Sequence, residues 1–136
     1  MTRFYFASAY HLPGRPNGGS DPAAAVIRDI EQATGWECTS HWPADFRHGE
    51  TWYARVAAET DLADIRAADV LIFAPTTPTS RGTHVELGYA LAFGKRILGW
   101  RPPGVEGTAF DTLVEPLPEE IAALVSRRPS EAQEGS

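Results

Sequence analysis

The chain has 136 residues, of which 43% are apolar, so it can bury a core without metals or cross-links and is not a disordered chain. Its formal net charge of −6 gives no basic surface for binding nucleic acid. A single cysteine, Cys38, excludes a disulfide within the chain and fits a reducing cytoplasm. We expect a cytoplasmic protein that does not enter membranes, because no signal-peptide pattern is present and the longest apolar run, Val70–Ala74, is too short to cross a bilayer.

Strands and helices alternate along the chain. The predicted elements, in chain order, are strand Arg3–Ala9, helix Pro22–Thr34, strand Trp36–Ser40, helix Glu50–Ala68, strand Val70–Ala74, helix His84–Phe93, strand Arg96–Trp100, strand Thr112–Val114 and helix Pro118–Ser126. Asp21 suits the cap and Pro22 the first position of the first helix, while Gly35 and Gly94 end helices.

This alternation predicts an α/β fold with a five-stranded parallel sheet and helices on both faces. Ligands bind such sheets beyond the carboxyl ends of the strands. The loops after strand 1, after Ala74 and after Trp100 lie at that edge. We expect one domain over residues 1–126, followed by a polar tail over 127–136 that is predicted to be disordered.

Glu86 lies in the segment Ser80–Tyr89, near the predicted start of a helix. Two interpretations are open. Thr83 and Glu86 fit a capping box, in which both side chains satisfy free backbone N–H groups. Alternatively, the helix dipole keeps the Glu86 carboxylate ionised, and above the sheet edge it can attack an electrophilic carbon as a nucleophile.

Asp61 is the second candidate carboxylate, on the helix that leads into the central strand. Asp64 and Asp69 are its rivals. The commoner outcome for such residues is an exposed acid: Asp64 as a solvated charge one turn further on, and Asp69 as a turn residue before the strand. Tyr5, in strand 1, is either a core residue or a hydroxyl that donates to a nearby carboxylate.

Other patterns predict no cofactor and no metal. The glycines at positions 14, 18 and 19 are too irregular for a dinucleotide-binding fingerprint, and no Walker lysine follows them. The histidines have no metal-ligand spacing with each other or with Cys38. Trp42, Phe46 and Trp52 are candidates for a base-stacking pocket, although aromatic residues at this density more often serve the core.

Three blocks of the sequence resemble the nucleoside 2-deoxyribosyltransferase family: Phe4–Ala9, Asp61–Ile72 and Gly82–Leu91. The third block is the most specific, and its spacing to the second strengthens it. The blocks cover most of the chain, from Phe4 to Phe110. The resemblance implies a doubly wound, flavodoxin-like or Rossmann-like parallel sheet, which agrees with the alternation of strands and helices.

The resemblance also implies a reaction. In the family a glutamate attacks the anomeric carbon of a 2′-deoxynucleoside, the base leaves, and water or a second base resolves the covalent glycosyl-enzyme. Glu86 matches that nucleophile, Asp61 the aspartate that helps to protonate the leaving base, and Tyr5 the tyrosine that positions the nucleophile. Sites of the family often take residues from a neighbouring subunit, so the resemblance implies a homo-oligomer, a dimer or higher.

One departure bears on the substrate. Transferases of the family often carry an aspartate six residues before the nucleophile, where this chain has Ser80. In the related deoxynucleoside 5′-monophosphate N-hydrolases a serine there contacts the 5′-phosphate, but their first loop, which bears Ser and Arg, is not reproduced here. The predicted substrate-binding residues are Ser8, His11, Ser80, Arg81, Gly82 and Thr108.

The sequence therefore predicts an enzyme that cleaves the N-glycosidic bond of a nucleoside or its 5′-monophosphate, either by hydrolysis or by transfer to a second base. Two alternatives stay open: a non-catalytic nucleotide-binding module on the same scaffold, and an N-glycosidase acting on another nucleotide such as NAD. Hydrolysis and base exchange are not separated by the sequence.

Overall fold

The computed structural model describes residues 1–8, 20–41, 51–75, 81–101, 107 and 109–126, without the side chains of 20–22, 51–54, 57 and 81. The elements, in chain order, are β1 Arg3–Ser8, α1 Ser20–Thr34, β2 Glu37–Cys38, α2 Thr51–Ala67, β3 Val70–Ala74, α3 Arg81–Ala92, β4 Arg96–Gly99, a 3-10 helix Ala109–Leu113, β5 Glu115–Pro116 and α4 Glu119–Ser126. Among these helices, none is long and apolar enough to cross a membrane.

The strands form a five-stranded sheet in the order β2-β1-β3-β4-β5, and every neighbouring pair is parallel. Helix α1 packs with α4, while α2 packs with α3. The predicted doubly wound α/β sheet is therefore confirmed. The chain order reverses between β1 and β3, which is where sheets of this kind form a crevice for ligands.

The two central strands explain the core. All five residues of β3 are buried, as the continuous apolar run predicts for a strand covered on both faces. In β1 the side chains alternate between the faces. Phe4 lies 6.3 Å from Trp36 by ring centroids, whereas Tyr5 points to the opposite face, which α2 and α3 cover.

Three helix boundaries bear on the sequence analysis. Helix α1 begins at Ser20, so Asp21 is already helical and the predicted cap is wrong. Pro22 tolerates this earlier start because the first N–H groups of a helix have no partner within it. Gly35 and Gly94 do end their helices, with φ of 74° and 68° that favour glycine.

The edge strands are shorter than predicted. Strand β2 pairs with β1 at Glu37 and Cys38 alone. The predicted strand over 112–114 is wrong: residues 109–113 form a 3-10 helix, in which the Thr112 hydroxyl donates to the Ala109 carbonyl at 2.8 Å. Pairing with β4 begins only at Glu115. Short polar edge segments carry little hydrophobic periodicity, so the sequence does not determine which of their residues pair with the neighbouring strand.

Candidate active site

The structure brings together the three residues for which a catalytic role was predicted. The hydroxyl of Tyr5 donates a hydrogen bond to Oε2 of Glu86, 81 positions further along the chain. Asp61 lies close enough to Tyr5 for each group to influence the pKa of the other. Tyr5 itself is fully buried. A buried phenol thus contacts one carboxyl group, and a second carboxyl group lies nearby.

Two packed helices create this convergence. Helix α2 leads into β3 and carries Asp61, and helix α3 follows β3 and carries Glu86. Both helices contact β1, where Tyr5 lies. The crossover connections of the sheet thus place three distant sequence segments around one hydroxyl group.

The capping-box interpretation of Glu86 is wrong. Helix α3 begins at Arg81, three residues before the predicted start, so Thr83 is already helical and is 4% exposed. Glu86 lies five residues after the start, beyond the first turn, where free backbone N–H groups are absent. The expectation that the helix dipole keeps Glu86 ionised fails for the same reason, because that effect fades within the first turn.

Burial instead dominates the electrostatics of the site. Loss of water raises the pKa of Glu86 to about 8, against the lowering effect of the Tyr5 hydrogen bond, and the charge of Asp61 raises it further. Burial likewise raises the pKa of Asp61 to about 7; Asp64 adds to this rise, and the hydrogen bond from Tyr5 opposes it. Burial and the nearby carboxylates also raise the pKa of Tyr5, so its phenol stays protonated as a donor.

Near neutral pH the two carboxyl groups therefore hold at least one proton between them. One protonated and one ionised carboxyl group in the same site is the arrangement that divides an acid role from a nucleophile role. The pKa of Glu86 lies above that of Asp61 even though Tyr5 donates to Glu86 and favours its charged form, so the form with Glu86 ionised and Asp61 protonated is the less populated of the two singly protonated forms.

We expect Glu86→Gln to stabilise the fold above neutral pH, by on the order of 2 kcal/mol. Between the ordinary value of 4.5 and about 8, the folded protein holds the Glu86 proton more tightly than the unfolded chain does. Stability therefore falls as pH rises through this window, and a neutral glutamine removes that loss. Urea unfolding of the wild type and the variant at pH 4 and pH 8.5 measures the difference in their free energies of unfolding. This difference should be near zero at pH 4 and reach its full value at pH 8.5. An equal effect at both pH values would contradict the prediction.

The remaining predicted site residues are only partly described. Ser8 ends β1 beside Ala74 and is 8% exposed. Gly82 is exposed in the first turn of α3. Arg81 begins α3, but its side chain lies outside the described residues. The other calls outside the described residues are His11, Ser80, Thr108, Trp42, Phe46 and the side chain of Trp52.

The interpretation of Asp64 as a solvated charge is wrong. Asp64 is 7% exposed, and both of its carboxylate oxygens lie 2.9 Å from Nδ1 of His41. Nothing in the sequence pairs these two residues, which are 23 positions apart. Asp69 does behave as the turn residue that was predicted, and its carboxylate accepts from the backbone N–H of Arg3 at 2.9 Å.

A cleft of about 200 Å³ opens beside β4 and β5. The guanidinium of Arg101 pairs with Asp111 there and lies 5.6 Å from the ring centroid of Phe73. Phe73 also contacts His84 of α3, edge to face, at 5.3 Å between ring centroids. The sequence indicated the loop after Trp100 as part of the ligand edge, but not this ion pair. Within the described ranges, no three His, Cys, Asp or Glu residues are grouped so that they could hold a metal ion.

The comparisons with known proteins agree with this fold. A profile of the nucleoside 2-deoxyribosyltransferase family matches residues 4–116. A search of curated proteins found no match. Among solved structures, the CMP N-glycosidase of Clostridium botulinum has a TM-score of 0.59 at 20% identity, covering 93% of this chain and 97% of that one.

Two further solved structures share the fold. The 2-deoxyribosyltransferase of Bacillus psychrosaccharolyticus has a TM-score of 0.53 at 20% identity, covering 86% of this chain and 99% of its own. A conserved protein of Enterococcus faecalis V583 has a TM-score of 0.55 at 16% identity, covering 94% and 88%.

The doubly wound parallel sheet with partly buried carboxyl groups is an α/β fold, and the family profile assigns it to enzymes of the glycosyltransferase or N-glycosidase type. The chain belongs to the nucleoside 2-deoxyribosyltransferase family, because the family profile covers most of its length.

Proposed function

We propose that this protein cleaves the N-glycosidic bond of a nucleoside or a nucleoside 5′-monophosphate through a covalent glycosyl-Glu86 intermediate. The observation that carries the proposal is the hydrogen bond from the Tyr5 hydroxyl to Glu86, with Asp61 close enough to influence both groups electrostatically. A retaining glycosyl transfer needs a nucleophile, an acid and a group that orients the nucleophile, and these three residues supply the three roles.

In the first step a carboxylate oxygen of Glu86 bonds to C1′ as the bond from C1′ to the base nitrogen breaks. Asp61 gives its proton to the departing base, which leaves neutral. Tyr5 keeps its own proton and holds Glu86 in the attacking orientation. The raised pKa of Asp61 supports this assignment, since a general acid works best when its pKa lies near the working pH.

In the second step an acceptor attacks C1′ from the face that the base has left, and the bond to Glu86 breaks. Asp61, now ionised, takes the proton that the acceptor loses. With water the product is the free sugar or sugar phosphate, and with a second base it is a new nucleoside. Both outcomes return the carboxyl groups to their starting protonation.

Two observations support a 5′-monophosphate as the substrate. Ser80 stands six residues before Glu86, where the deoxynucleoside monophosphate hydrolases of the family carry a phosphate-contacting serine. The structural similarity to a CMP N-glycosidase points to the same substrate class. A local site can accept an anion despite the negative net charge of the chain.

A panel assay tests the proposed function. The protein is incubated with the four 2′-deoxynucleosides, their 5′-monophosphates, CMP and NAD, with and without free adenine as acceptor, and the products are separated by chromatography. We expect release of free base from at least one 5′-monophosphate, and its absence with Glu86→Gln. Nicotinamide release from NAD alone, or binding without any product, would contradict the proposal and support one of the two alternatives.

A further inference from the structure

Asp64 is a buried carboxyl group to which the mechanism gives no role. Its side chain is 10% exposed, whereas that of its partner His41 is 71% exposed. His41 contacts it twice: the backbone N–H donates to Oδ2 at 3.0 Å, and ring Nδ1 lies 2.9 Å from each carboxylate oxygen. Two donors on one carboxyl group suit the ionised form of Asp64 and the His41 tautomer that carries its hydrogen on Nδ1.

Hydrogen bonds of the residues before His41 fix the position of Asp64. The Thr39 hydroxyl donates to the backbone carbonyl of Asp64 at 2.9 Å. The Ser40 hydroxyl accepts from the backbone N–H of Phe6 in β1 at 2.9 Å. The three residues after β2 thus join α2 to the central strand, and they hold Asp64 in one position relative to the active site.

Asp64 and Asp61 lie three residues apart on α2, so their side chains are neighbours on one face of the helix. The described titratable groups around Asp61 are Tyr5 from β1, Glu86 from α3 and Asp64 from its own helix. His41 in turn contacts the carboxyl group of Asp64. Tyr5 stays neutral, and Glu86 changes its charge during the reaction. Asp64 is the group that can keep a constant negative charge beside Asp61.

We propose that Asp64, held by His41, is a positioning residue that keeps Asp61 in its proton-donating form. This inference rests on the proposed role of Asp61 as the acid. A fixed negative charge disfavours a second one beside it, so Asp61 retains its proton at a pH where an isolated aspartate would have lost it. This effect agrees with the raised pKa of Asp61. Burial is the largest cause of that rise, and the charge of Asp64 is the second.

The experiment is a titration of the Asp61 carboxyl by ¹³C NMR, which needs no substrate, in the wild-type protein and in Asp64→Asn. The signal is assigned by its absence in Asp61→Asn. We expect the midpoint of Asp61 to fall by about one pH unit in Asp64→Asn. If that variant does not fold, His41→Lys places a positive charge beside Asp64 at an exposed position, and the midpoint should fall by about half a unit.

Asp69→Asn is the matched control, because it also removes a carboxylate that accepts from a backbone N–H, but at the start of β3. Its Asp61 midpoint should equal that of the wild type. We also measure the pH profile of kcat/KM on the 5′-monophosphate that is cleaved fastest in the panel. In Asp64→Asn its basic limb should shift to lower pH, as the NMR midpoint does. A purely structural role would lower the rate equally at every pH.

The outcomes separate the two proposals. An unchanged Asp61 midpoint in Asp64→Asn or His41→Lys, in a protein that still releases base, overturns this inference and leaves the proposed function standing. A lowered midpoint in a protein that releases no base from any panel substrate supports the electrostatic coupling and overturns the proposed function.

Discussion

Glu86→Gln is expected to lower base release by about 10⁴-fold. Glutamine keeps the shape of the side chain, and its amide oxygen can still accept the hydrogen bond from Tyr5, so packing around the site should not change. What disappears is the carboxylate oxygen that bonds to C1′. The rate of base release from the fastest panel substrate, measured under single-turnover conditions, gives the size of the loss.

The same variant tests the covalent intermediate. When the wild-type reaction is quenched with acid during turnover, intact-protein mass spectrometry should show a fraction of the chain heavier by the glycosyl group, and peptide mapping should locate it on Glu86. Glu86→Gln should show none. Glu59→Gln is the control, because Glu59 lies on α2 with a side chain that is 65% exposed and paired with Arg55. A Glu86→Gln protein with activity within tenfold of the wild type would contradict the role of Glu86.

Stability and activity are expected to move in opposite directions in this variant. Burial raises the pKa of Glu86, so its charged form costs stability at the pH where it is needed. Active sites commonly retain such groups despite this cost. A loss of activity together with a gain in stability cannot be explained by unfolding, which makes Glu86→Gln more informative than a truncation to alanine.

The central part of the fold could be predicted from the sequence because its signals are local and strong. The run Val70–Ala74 is apolar throughout and is bounded by Asp69 and Pro75, and the structure shows β3 with those bounds. The apolar face of α1, formed by Val26, Ile27 and Ile30, is buried as the helical spacing predicts. The 3-10 helix before β5 could not be predicted in this way, since its five residues bury no side chain.

The convergence of Tyr5, Asp61 and Glu86 followed from the family resemblance and the parallel sheet, and the structure shows it. Their protonation could not be predicted. It depends on how much water the packing of α2 against α3 excludes, and on where the helix begins, which was predicted three residues too late. The contact of His41 with Asp64 depends on the path of the chain after β2, for which the sequence carries no pattern.

Asp61→Asn is expected to lower base release from unmodified substrates by about 10²- to 10³-fold, because the departing base then leaves without a proton. The loss should depend on the leaving group. A 7-methylguanine nucleotide already carries a positive charge on its base, which departs neutral without protonation. For that substrate the same variant should lose only a few-fold, whereas Glu86→Gln should lose activity on both, since both need the nucleophile.

The pH profile gives an independent measurement of the same role. Burial raises the pKa of Asp61 to about 7 and that of Glu86 to about 8, and the reaction needs Asp61 protonated and Glu86 ionised. Wild-type activity on unmodified substrates should therefore be bell-shaped in pH, with a basic limb that reports the loss of the acid proton. Asp61→Asn should lack this basic limb, and the wild type should also lack it with the 7-methylguanine substrate. Equal losses on the two substrates, with the basic limb retained in Asp61→Asn, would show that Asp61 binds the substrate rather than protonating the base. Because a binding role and an acid role both predict a slower enzyme, it is the dependence on leaving group and pH that identifies the acid.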